Sequence, residues 1–428
     1  MRILHFMNTP INIDELKSGG TGISSSGGWM AALLGRMLRD TDYSFACVAF
    51  SNVKEVQVTH DDRIHCYIVP GDLSGKSFNY TLKACCDVVS EWKPDVIHIH
   101  GTESVFGLLT ARSMVECPVV ISLQGLLGPY SEWYHYFGNR SLKDIVRMHR
   151  LLEIPAMRGH LIAFLKLRQM AIREREIIAG NRFFMGRTAW DRAYISALNP
   201  SAQYFHGGEL LREPFWRERW DIGRGRRYRI IFTNAGHPRK GAETLLEAVK
   251  LLQSDYPDIQ VSIAGGISRR SGYGRYLRGR IAELGRSAIE LGQLNAEEMV
   301  KEMLNSHIFV SPSFIDNSPN ALCEAQLLGM PVISTYTGGV PSLIEEGRTG
   351  MFFPTGDASM LAARLREVFE DDHLAVSLGS QAHEVAAKRH DPDTIVHEVV
   401  YAYENVLEYR SDYRSIVNPY YNSHKGLH

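Results

Sequence analysis

Short apolar strands alternate with amphipathic helices along this chain, and the alternation begins twice. The first series opens with Arg2–Met7 and includes the buried-type strands Asp95–Ile99 and Pro118–Leu123. The second series opens with Arg229–Thr233 and continues with Ile259–Ala264. Such a strand–helix–strand rhythm predicts parallel sheets covered by helices on both faces. The chain is therefore predicted to be α/β, with two doubly wound domains in series.

The length supports two domains, because 428 residues exceed the size at which a single hydrophobic core keeps growing. We predict an N-terminal domain over residues 1–205, a second domain over 206–390, and a terminal helix with a loose tail over 391–428. Ligands of open parallel sheets bind at the carboxyl ends of the strands. The loops that follow the strands are therefore predicted to line a central cleft between the two domains.

Composition excludes several classes of protein. Apolar residues make up 44% and charged residues 22% of the chain, as in soluble globular proteins. The net charge of −1 gives no electrostatic case for a nucleic-acid partner. The six cysteines lack paired metal-ligand spacing, so they are predicted to be reduced core residues of a cytoplasmic protein. No apolar run approaches the roughly 18 residues of a membrane span, and the N-terminal run is too short for a signal peptide.

A capped helix is predicted in the C-terminal half of the chain. Ser318 has the side chain of an N-cap residue, which accepts a hydrogen bond from a free N–H of the first turn. Pro319 suits the first helical position, because the N–H that proline lacks would have no partner there. Gly329 favours a stop, so the helix is predicted from about Pro319 to Leu328.

Two acids lie around this helix start, Asp316 in the preceding loop and Glu324 about two turns further along the chain. A helix N-terminus presents free N–H donors and a partial positive charge, which suit a phosphate group. Carboxylates beside an anion site make electrostatic sense when they face sugar hydroxyls, so the pattern favours a sugar nucleotide. The alternative is a surface helix with ordinary capping and a solvated Glu324.

The strand in the segment IHIHG carries His98 and His100 on one face, because side chains alternate along a strand. His100 comes at the end of the strand and is therefore the better candidate for a role in the cleft. The alternative is a hydrogen-bonded structural histidine.

The chain resembles the retaining, nucleotide-sugar-dependent glycosyltransferases of the large fourth family, which have two facing Rossmann-like domains in the arrangement called GT-B. The resemblance covers about residues 1–405 and is strongest from 229 to 362. It rests on RKG at 239–241, LGQL at 291–294, SPS at 311–313, the acid pair, EAQLLGMPV at 324–332, GG at 338–339, GRTG at 347–350 and GD at 356–357. Each motif alone is weak, and the order and spacing make the set specific.

In the second domain the resemblance implies a donor site. Lys240 is expected to hold the donor diphosphate, and Glu324 to accept hydrogen bonds from the ribose hydroxyls. Asp316 replaces the glutamate that contacts the donor sugar in the family, and its side chain is one methylene shorter. Asn234 stands where the family often has an arginine, and Arg239 beside the lysine is the residue that would compensate.

The resemblance implies further positions. Donor contacts are expected from the N–H groups of Asn320, Ala321 and Leu322, from Gly292 and Leu294 at the base-contacting loop, and from the glycine pair Gly27 and Gly28. For Leu294, plain core packing is the alternative. Gln124 occupies the place of a catalytic histidine, and an amide can bind a hydroxyl but cannot act as a base. The residues expected nearest the reacting atoms are Asp316, Lys240, His100 and Gln124.

The reaction implied is sugar transfer from a nucleoside diphosphate sugar to a hydroxyl of a glycan or lipid-linked glycan, as in bacterial surface polysaccharide synthesis. The anomeric configuration is retained. Because the sugar nucleotide is a substrate, no cofactor and no metal are expected. The departing diphosphate is expected to help deprotonate the acceptor while Lys240 stabilises its charge. A covalent intermediate would need two carboxylates about 5 Å apart across the bond, which the acid pair does not suit.

The acceptor is expected on the N-terminal domain. There, residues 140–176 read as a basic helical insertion with nine Lys and Arg against four Asp and Glu. Aromatic residues precede it: Tyr130, Trp133, Tyr134, Tyr136 and Phe137. Basic helices with interfacial aromatics suit peripheral contact with anionic lipid, so the protein is expected at the inner face of the cell membrane. The alternative is an insertion with a solvated basic face.

Two other functions remain open from the sequence. One is a nucleotide-sugar epimerase on the same fold, which would hydrolyse the donor with inversion at C2 and need no acceptor. The other is a non-catalytic sugar-nucleotide-binding subunit, for which Asp316, Asn234 and Gln124 would be signs of lost activity.

Overall fold

The computed structural model describes residues 1–11, 13, 28–71, 78–149 and 159–409. Up to residue 206 its elements are, in chain order, β1 (Arg2–Phe6), α1 (Gly28–Asp40), β2 (Ser44–Ser51), β3 (Gln57–Asp61), β4 (Ile64–Pro70), α2 (Phe78–Trp92), β5 (Val96–His100), α3 (Leu108–Ala111), β6 (Val119–Ser122), α4 (Leu127–Tyr130), α5 (Trp133–Phe137), α6 (Leu142–Arg147), α7 (His160–Gly180), β7 (Phe183–Gly186), α8 (Ala189–Leu198) and β8 (Gln203–His206).

The later elements are α9 (Pro214–Arg217), β9 (Arg226–Thr233), α10 (Ala242–Leu252), β10 (Gln260–Ala264), α11 (Gly272–Glu283), β11 (Ala288–Gly292), α12 (Ala296–Leu304), β12 (Ser306–Ser311), α13 (Asn320–Leu328), β13 (Val332–Thr335), β14 (Met351–Phe353), α14 (Ala358–Glu370), α15 (Asp372–Arg389) and α16 (Pro392–Glu408). Short 3₁₀ turns lie at Pro238–Lys240, Gly285–Ser287 and Val340–Ser342.

Two compact units divide the chain. Unit 1 comprises residues 1–128, 169–210 and the chain from His390 on, and unit 2 comprises 129–168 and 211–389. This division differs from the predicted bounds in two places. The terminal helix α16 joins unit 1, because its apolar face, including the fully buried Tyr403, packs in the same core as β1 and α1. Residues 129–168 join unit 2, because Tyr136 and Phe137 are buried in its core.

Unit 1 is built on an eight-stranded sheet in the order β3-β4-β2-β1-β5-β6-β7-β8. All neighbours are parallel except β3, which runs antiparallel to β4. Among the central strands, β5 is buried along its whole length and β1 and β6 are buried except at one end residue each, as their apolar runs predicted; helices cover both faces of the sheet. The strands predicted near the N-terminus and at Asp95–Ile99 and Pro118–Leu123 are found within one residue at each end.

Unit 2 is built on a six-stranded, fully parallel sheet in the order β11-β10-β9-β12-β13-β14. Its cores lie on the two faces of the sheet, one beneath α10, α11 and α14 and the other beneath α12 and α13. The six cysteines of the chain are free, and all except Cys86 are buried, as predicted.

The helix predicted at Pro319 begins one residue later. Pro319 is the N-cap, with an extended backbone (φ −70°, ψ 114°), and no side chain caps the helix. The prediction that Ser318 is the N-cap was therefore wrong: the extended conformation of Pro319 delays helical geometry until Asn320. The stop is as predicted, because Gly329 adopts the left-handed conformation that glycine accommodates without strain.

Among the described residues, no helix combines the length and the apolar character needed to cross a membrane. The predicted tail at 411–428 and the predicted Gly27 lie outside the described residues.

Candidate functional site

The predicted donor residues of unit 2 lie at the carboxyl ends of its strands, in the loops that follow them and in the helix α13 that follows one of these loops. The turn 234–241 follows β9 and the loop 312–319 follows β12, and these two strands are neighbours in the sheet. The strand order reverses between them, since β10 and β11 lie on one side and β13 and β14 on the other. This is the topological switch point at which open α/β sheets bind ligands.

The turn after β9 is held in an unusual backbone conformation. Asn234 has a φ of +61° and is exposed, and its N–H donates to Ala264 at 2.9 Å. The His237 side chain accepts a hydrogen bond from Arg239 N at 3.1 Å and so caps the following 3₁₀ turn. Gly241 has a φ of +71°, and a Cβ there would lie 1.9 Å from the carbonyl oxygen of Pro312. Only glycine lets this turn approach the loop after β12 so closely.

Lys240 and Asp316 meet in an ion pair that joins the two loops. Lys240 Nζ donates to Asp316 Oδ2 at 2.5 Å, and Ser313 Oγ donates to the same oxygen at 3.2 Å. Burial alone would raise the pKa of Asp316, but the positive charges of Lys240 and Arg239 outweigh it and lower that pKa. Burial lowers the pKa of Lys240, and Asp316 opposes that effect. Asp316 is therefore a carboxylate at neutral pH.

Arg239 has its guanidinium 4.7 Å from the ring centroid of Tyr130, in a cation–π contact within unit 2. Its carbonyl accepts from Phe314 N at 2.7 Å, which ties the turn to the loop after β12 a second time. Its Nε is buried and has no hydrogen-bond partner among the described residues. Arg239 thus places a second cation on the turn that carries Lys240, and its role as a compensating residue stays a prediction.

Three of the five aromatic residues predicted to face lipid are buried near this turn, namely Tyr130, Tyr136 and Phe137, whereas Trp133 and Tyr134 are each 42% exposed. Tyr136 is buried with its ring centroid 4.8 Å from that of His237. Phe137 is fully buried, and Arg140 forms an ion pair with Glu243. Arg140 Nη2 also donates to Pro238 O at 3.0 Å. This part of the predicted basic insertion is therefore bound to the donor-site turn, and its central residues 150–158 lie outside the described residues.

The start of α13 offers fewer donors than predicted. Asn320 and Ala321 are half-buried at the first turn. Leu322 is fully buried, and its N–H donates to Pro319 O at 3.0 Å. A tight turn at Pro319 thus already uses the Leu322 N–H, one of the three donors predicted for a phosphate.

Glu324 forms a second ion pair, which the sequence did not predict. Arg212 Nε and Nη2 donate to Glu324 Oε1 and Oε2 at 2.6 and 2.7 Å. Glu324 is 3% exposed, so the alternative of a solvated glutamate is excluded. Burial raises its pKa, and Arg212 acts in the opposite direction. No spacing pattern in the sequence connects residues 212 and 324. The only signal for this pair is that a buried carboxylate is costly unless a cation pairs with it.

The predicted base-contacting loop follows β11. Gly292 has a φ of +76° with open space where a Cβ would lie, and its carbonyl accepts from Gly265 N at 2.7 Å. Leu294 is partly buried against the core beneath α13. Part of the Leu294 side chain therefore packs in the core, which was the alternative to a contact with the base.

In unit 1 the predicted His100 belongs to a chain of buried histidines. His5 Nδ1 and His100 Nε2 are 2.9 Å apart, in rings inclined by only 10°. The ring centroids of His98 and His100 are 3.9 Å apart, so the two side chains point the same way, as predicted. Burial holds the pKa of His100 well below its usual range, with further lowering by His98, His5 and Arg187. His100 is therefore neutral at pH 7.

His5, His98 and His100 are the described residues that could together hold a metal ion, because one nitrogen of each lies within 4.8 Å of the other two. Hydrogen bonds occupy some of these nitrogens and leave others without a partner. His98 contacts Tyr403 Oη at 2.7 Å and Ser122 Oγ at 2.6 Å. His5 and His100 share a hydrogen bond between rings inclined by 10°, and His5 Nε2 and His100 Nδ1 have no hydrogen-bond partner among the described residues. Hydrogen bonds therefore account for four of the six nitrogens of the group.

Gln124 lies just beyond β6 and is half-buried, and Arg187 Nη2 donates to its Oε1 at 3.0 Å. Arg187 also pairs with the buried Glu209. The amide is thus held in place by a cation whose own charge is balanced. Gly28 is the first residue of α1.

Glu103 is a residue of unit 1 that the sequence did not indicate. Asn8, just beyond β1, donates to Glu103 Oε1 at 2.6 Å across the switch point between β1 and β5. Gly101 has a φ of +96°, and a Cβ there would lie 2.1 Å from the Glu103 carboxyl. Burial, with a contribution from the charge of Glu174, raises the pKa of Glu103 to about 7. Only the backbone fold brings residues 8 and 103 together.

Residues 214–385 match the family described as glycosyl transferases group 1. This chain carries a group 1 glycosyltransferase domain. It is similar to sulfoquinovosyl transferase SQD2 of Arabidopsis thaliana, with 24% identity over 307 residues, 70% of this chain and 54% of that protein. It is also similar to D-inositol 3-phosphate glycosyltransferase of Corynebacterium efficiens, with 30% identity over 200 residues, 45% of this chain and 46% of that protein. The chain spans about half the length of these relatives.

Solved structures show the fold of this chain. Sucrose-phosphate synthase from Thermosynechococcus elongatus aligns with a TM-score of 0.72 at 16% identity, over 95% of this chain and 99% of that chain. Anabaena HepE in complex with UDP-glucose aligns with a TM-score of 0.63 at 15% identity, over 95% and 100%. The predicted GT-B fold, with two parallel-sheet α/β domains, is confirmed.

The group 1 domain contains most of the unit 2 site. Lys240, Asp316 and Glu324 all lie inside the matched residues 214–385. Arg212 lies two residues before the match begins, so the glycosyltransferase domain pairs one of its acids with a cation from outside it.

Proposed function

We propose that this protein is a retaining glycosyltransferase that moves a sugar from a nucleoside diphosphate sugar to a hydroxyl of a glycan or lipid-linked glycan. The observation that carries the proposal is the contact of Lys240 with Asp316 at the switch point of unit 2. It joins a cation suited to a diphosphate and an acid suited to sugar hydroxyls, immediately before the first turn of α13.

The donor diphosphate fits the cations of this turn. Lys240 Nζ carries three N–H donors, of which one bonds Asp316, so two are left for phosphate oxygens. Arg239 adds a second charge, with its Nε unused among the described residues. Anabaena HepE, which has the same fold, is seen in complex with UDP and with UDP-glucose. A UDP-linked sugar is therefore the first donor to test.

The proposed chemistry needs no group beyond the two substrates. The acceptor oxygen forms a bond to the anomeric carbon while the bond from that carbon to the phosphate oxygen breaks. The electron pair of the breaking bond leaves with the diphosphate. The acceptor proton goes to a phosphate oxygen of the leaving group. Lys240 stabilises the negative charge on that group, and Asp316 orients the sugar by accepting from its hydroxyls.

Retention without a covalent sugar intermediate is favoured by the way both acids are used. Asp316 is paired with Lys240, and Glu324 with Arg212. A nucleophilic pair of carboxylates across the scissile bond would need one unpaired base and one acid in facing positions. Both acids of the site are ion-paired, so neither is an unpaired base. In the proposed mechanism the departing diphosphate therefore takes the acceptor proton.

The acceptor class is inferred from the relatives. Their names include a sulfoquinovosyl transferase, D-inositol 3-phosphate glycosyltransferases and a colanic acid biosynthesis glycosyltransferase of Salmonella typhimurium. The D-inositol 3-phosphate and the colanic acid in these names both carry free hydroxyl groups. We infer that the chain acts in surface polysaccharide synthesis, with neither a metal nor a nucleic acid taking part.

We also propose peripheral contact with an anionic membrane, through helix α6 rather than through the whole predicted insertion. The helix α6 exposes Leu142 (74%) and Val146 (72%), beside Lys143 and Arg147. Exposed apolar residues flanked by cations suit the surface of an anionic bilayer. Co-sedimentation with vesicles of phosphatidylcholine, with and without phosphatidylglycerol, tests this contact. Equal binding to both vesicles, or none, would remove it.

A donor screen tests the function itself. Thermal shifts with UDP, GDP, ADP and CMP identify the nucleotide, because a bound ligand stabilises by mass action. Turnover of the matching nucleotide sugars then separates the alternatives. Transfer to an alkyl glycoside with retained configuration supports the proposal. Binding without release of nucleotide from any sugar would identify a non-catalytic subunit, and inversion of the donor sugar at C2 without acceptor would identify an epimerase.

A further inference from the structure

The pair of Arg212 and Glu324 adds a cation where the resemblance implied only an acceptor of ribose hydroxyls. Its two hydrogen bonds reach different carboxylate oxygens at 2.6 and 2.7 Å, so they fix the plane of the carboxylate as well as its position. Each carboxylate oxygen can accept two hydrogen bonds. One acceptor position on each oxygen therefore remains, and Arg212 orients the carboxylate without using it up.

The protonation of Glu324 depends on the same contact. Burial raises the pKa of Glu324, whereas the hydrogen bonds and the charge of Arg212 lower it. A protonated carboxyl would exchange one of its acceptor positions for a donor. Two vicinal hydroxyls that both donate could then no longer be served by both oxygens. Removing Arg212 is therefore expected to change what Glu324 can bind.

Arg212 is in turn held by its neighbours. Its guanidinium lies 4.8 Å from the ring centroid of Phe215, which is fully buried at the base of α9. The Arg212 side chain is 33% exposed, so the pair lies at the surface of the core beneath α13. The aromatic ring and the carboxylate together leave the guanidinium little freedom, which suits a residue that sets the position of another.

We propose that Arg212 is a positioning residue for the donor nucleotide, which holds the Glu324 carboxylate so that its two oxygens accept from the two ribose hydroxyls. The inference rests on the proposed function, because it takes the ligand of unit 2 to be a nucleoside diphosphate. It adds the consequence that this protein selects ribonucleotides over deoxyribonucleotides through a pair of residues. If the pair of Arg212 and Glu324 served stability alone, the protein would bind both kinds of nucleotide equally well, with or without Arg212.

The test compares UDP, GDP and ADP with their 2′-deoxy counterparts, by calorimetric titration of the full chain. Wild-type protein is expected to bind the ribonucleotide that stabilises it most about tenfold more tightly than the deoxy form, as for loss of one hydrogen bond to a charged group. Arg212→Gln is expected to bring this ratio close to one. Arg212→Lys, which keeps the charge but loses the two-point contact, is expected to give an intermediate ratio.

Arg229→Gln is the matched control. Arg229 is buried in unit 2 and donates to Glu302 at 2.5 Å and to Ser262 at 2.8 Å, so this change also removes an arginine from an ion pair. It is expected to lower the melting temperature and leave the nucleotide ratio at the wild-type value. A wild-type ratio in folded Arg212→Gln would overturn the inference. Should that variant fail to fold, Arg212→Lys decides in the same way.

Failure of the proposed function gives a different result. If wild-type protein binds none of UDP, GDP and ADP, the proposed function fails and the inference fails with it. If wild-type protein binds a ribonucleotide and its deoxy form equally, only the role of the ribose is lost, and the inference is overturned while nucleotide binding stands.

Discussion

The contact of Gly241 with Pro312 gives the sharpest test of how the candidate site is built. Gly241→Ala would place a Cβ in the left-handed region, at a cost of roughly 1 kcal/mol, and about 0.4–1 kcal/mol of this is returned because alanine restricts the unfolded chain. The overlap is the larger effect. The new Cβ would lie 1.9 Å from Pro312 O, where real contacts stay above 3.0 Å, so turn and loop must separate by about 1 Å.

Separation breaks named hydrogen bonds. Phe314 N donates to Arg239 O at 2.7 Å, and Lys240 Nζ to Asp316 at 2.5 Å, across this junction. Losing one to two such bonds at about 1 kcal/mol each, with the strain of the turn, gives a destabilisation of about 3 kcal/mol. For a unit of this size we expect the melting temperature to fall by roughly 6–12 °C. Binding of UDP is expected to weaken as well, because Lys240 is displaced.

Gly285→Ala is the control in the same unit. Gly285 also has a positive φ, +55°, but nothing lies within 4 Å of the Cβ position. It should show the backbone cost alone, near 0–1 kcal/mol after the gain from the unfolded state, which is a fall of at most about 4 °C. Scanning calorimetry of the two variants measures the difference. Equal effects would refute the claim that close approach of the two loops, rather than backbone conformation, holds the site.

Three further changes test other parts of the structure. Lys240→Ala should lower turnover of the identified nucleotide sugar by about 10²–10³-fold in a steady-state assay, while the exposed Lys250→Ala leaves it unchanged; equal rates in the two variants would contradict the role of Lys240. Arg140→Met should destabilise unit 2 by about 3 kcal/mol in urea, because Glu243 stays buried without its partner, and adding Glu243→Gln should restore part of the loss. Burial raises the pKa of Glu103 from 4.5 to about 7, so the native state holds this proton at pH values where the unfolded chain has lost it. The residue therefore favours folding below about pH 4.5 and loses that effect as pH rises through 7. Urea titrations from pH 5 to 8 should show a slope of the unfolding free energy against pH that Glu103→Gln removes, and an unchanged slope would contradict the assignment.

The sequence predicted the parts of this protein that depend on local patterns. Apolar runs such as Val96–His100 are buried strands because each must hide both faces, and the glycine at 329 ends its helix because few other residues adopt that conformation easily. The ordered motifs placed Lys240 and Asp316 in one site, and the two are in contact. What failed was a local detail, the N-cap at Ser318, where the extended backbone of Pro319 moved the helix start by one residue.

Long-range pairings could not be predicted in the same way. Tyr136 and Arg140 carry an aromatic and basic pattern that suits a membrane surface equally well, and only their burial beside His237 and Glu243 assigns them to unit 2. Asn8 and Glu103 come together because β1 and β5 are neighbours in the sheet, which no spacing in the chain records. Pattern and periodicity describe one element at a time, whereas these contacts are set by which elements pack together.

The charges of unit 2 explain how two acids can stand beside an anion-binding helix start. An unpaired carboxylate there would repel a diphosphate and would itself be costly to bury. Asp316 and Glu324 avoid both penalties through Lys240 and Arg212, so in the proposed donor complex each acid would meet the ligand as half of a neutral pair. Lys240 keeps donors for phosphate, and the carboxylates keep acceptors for hydroxyls. A sugar nucleotide carries both kinds of group in one molecule, which is why this arrangement favours it over free phosphate or a neutral sugar.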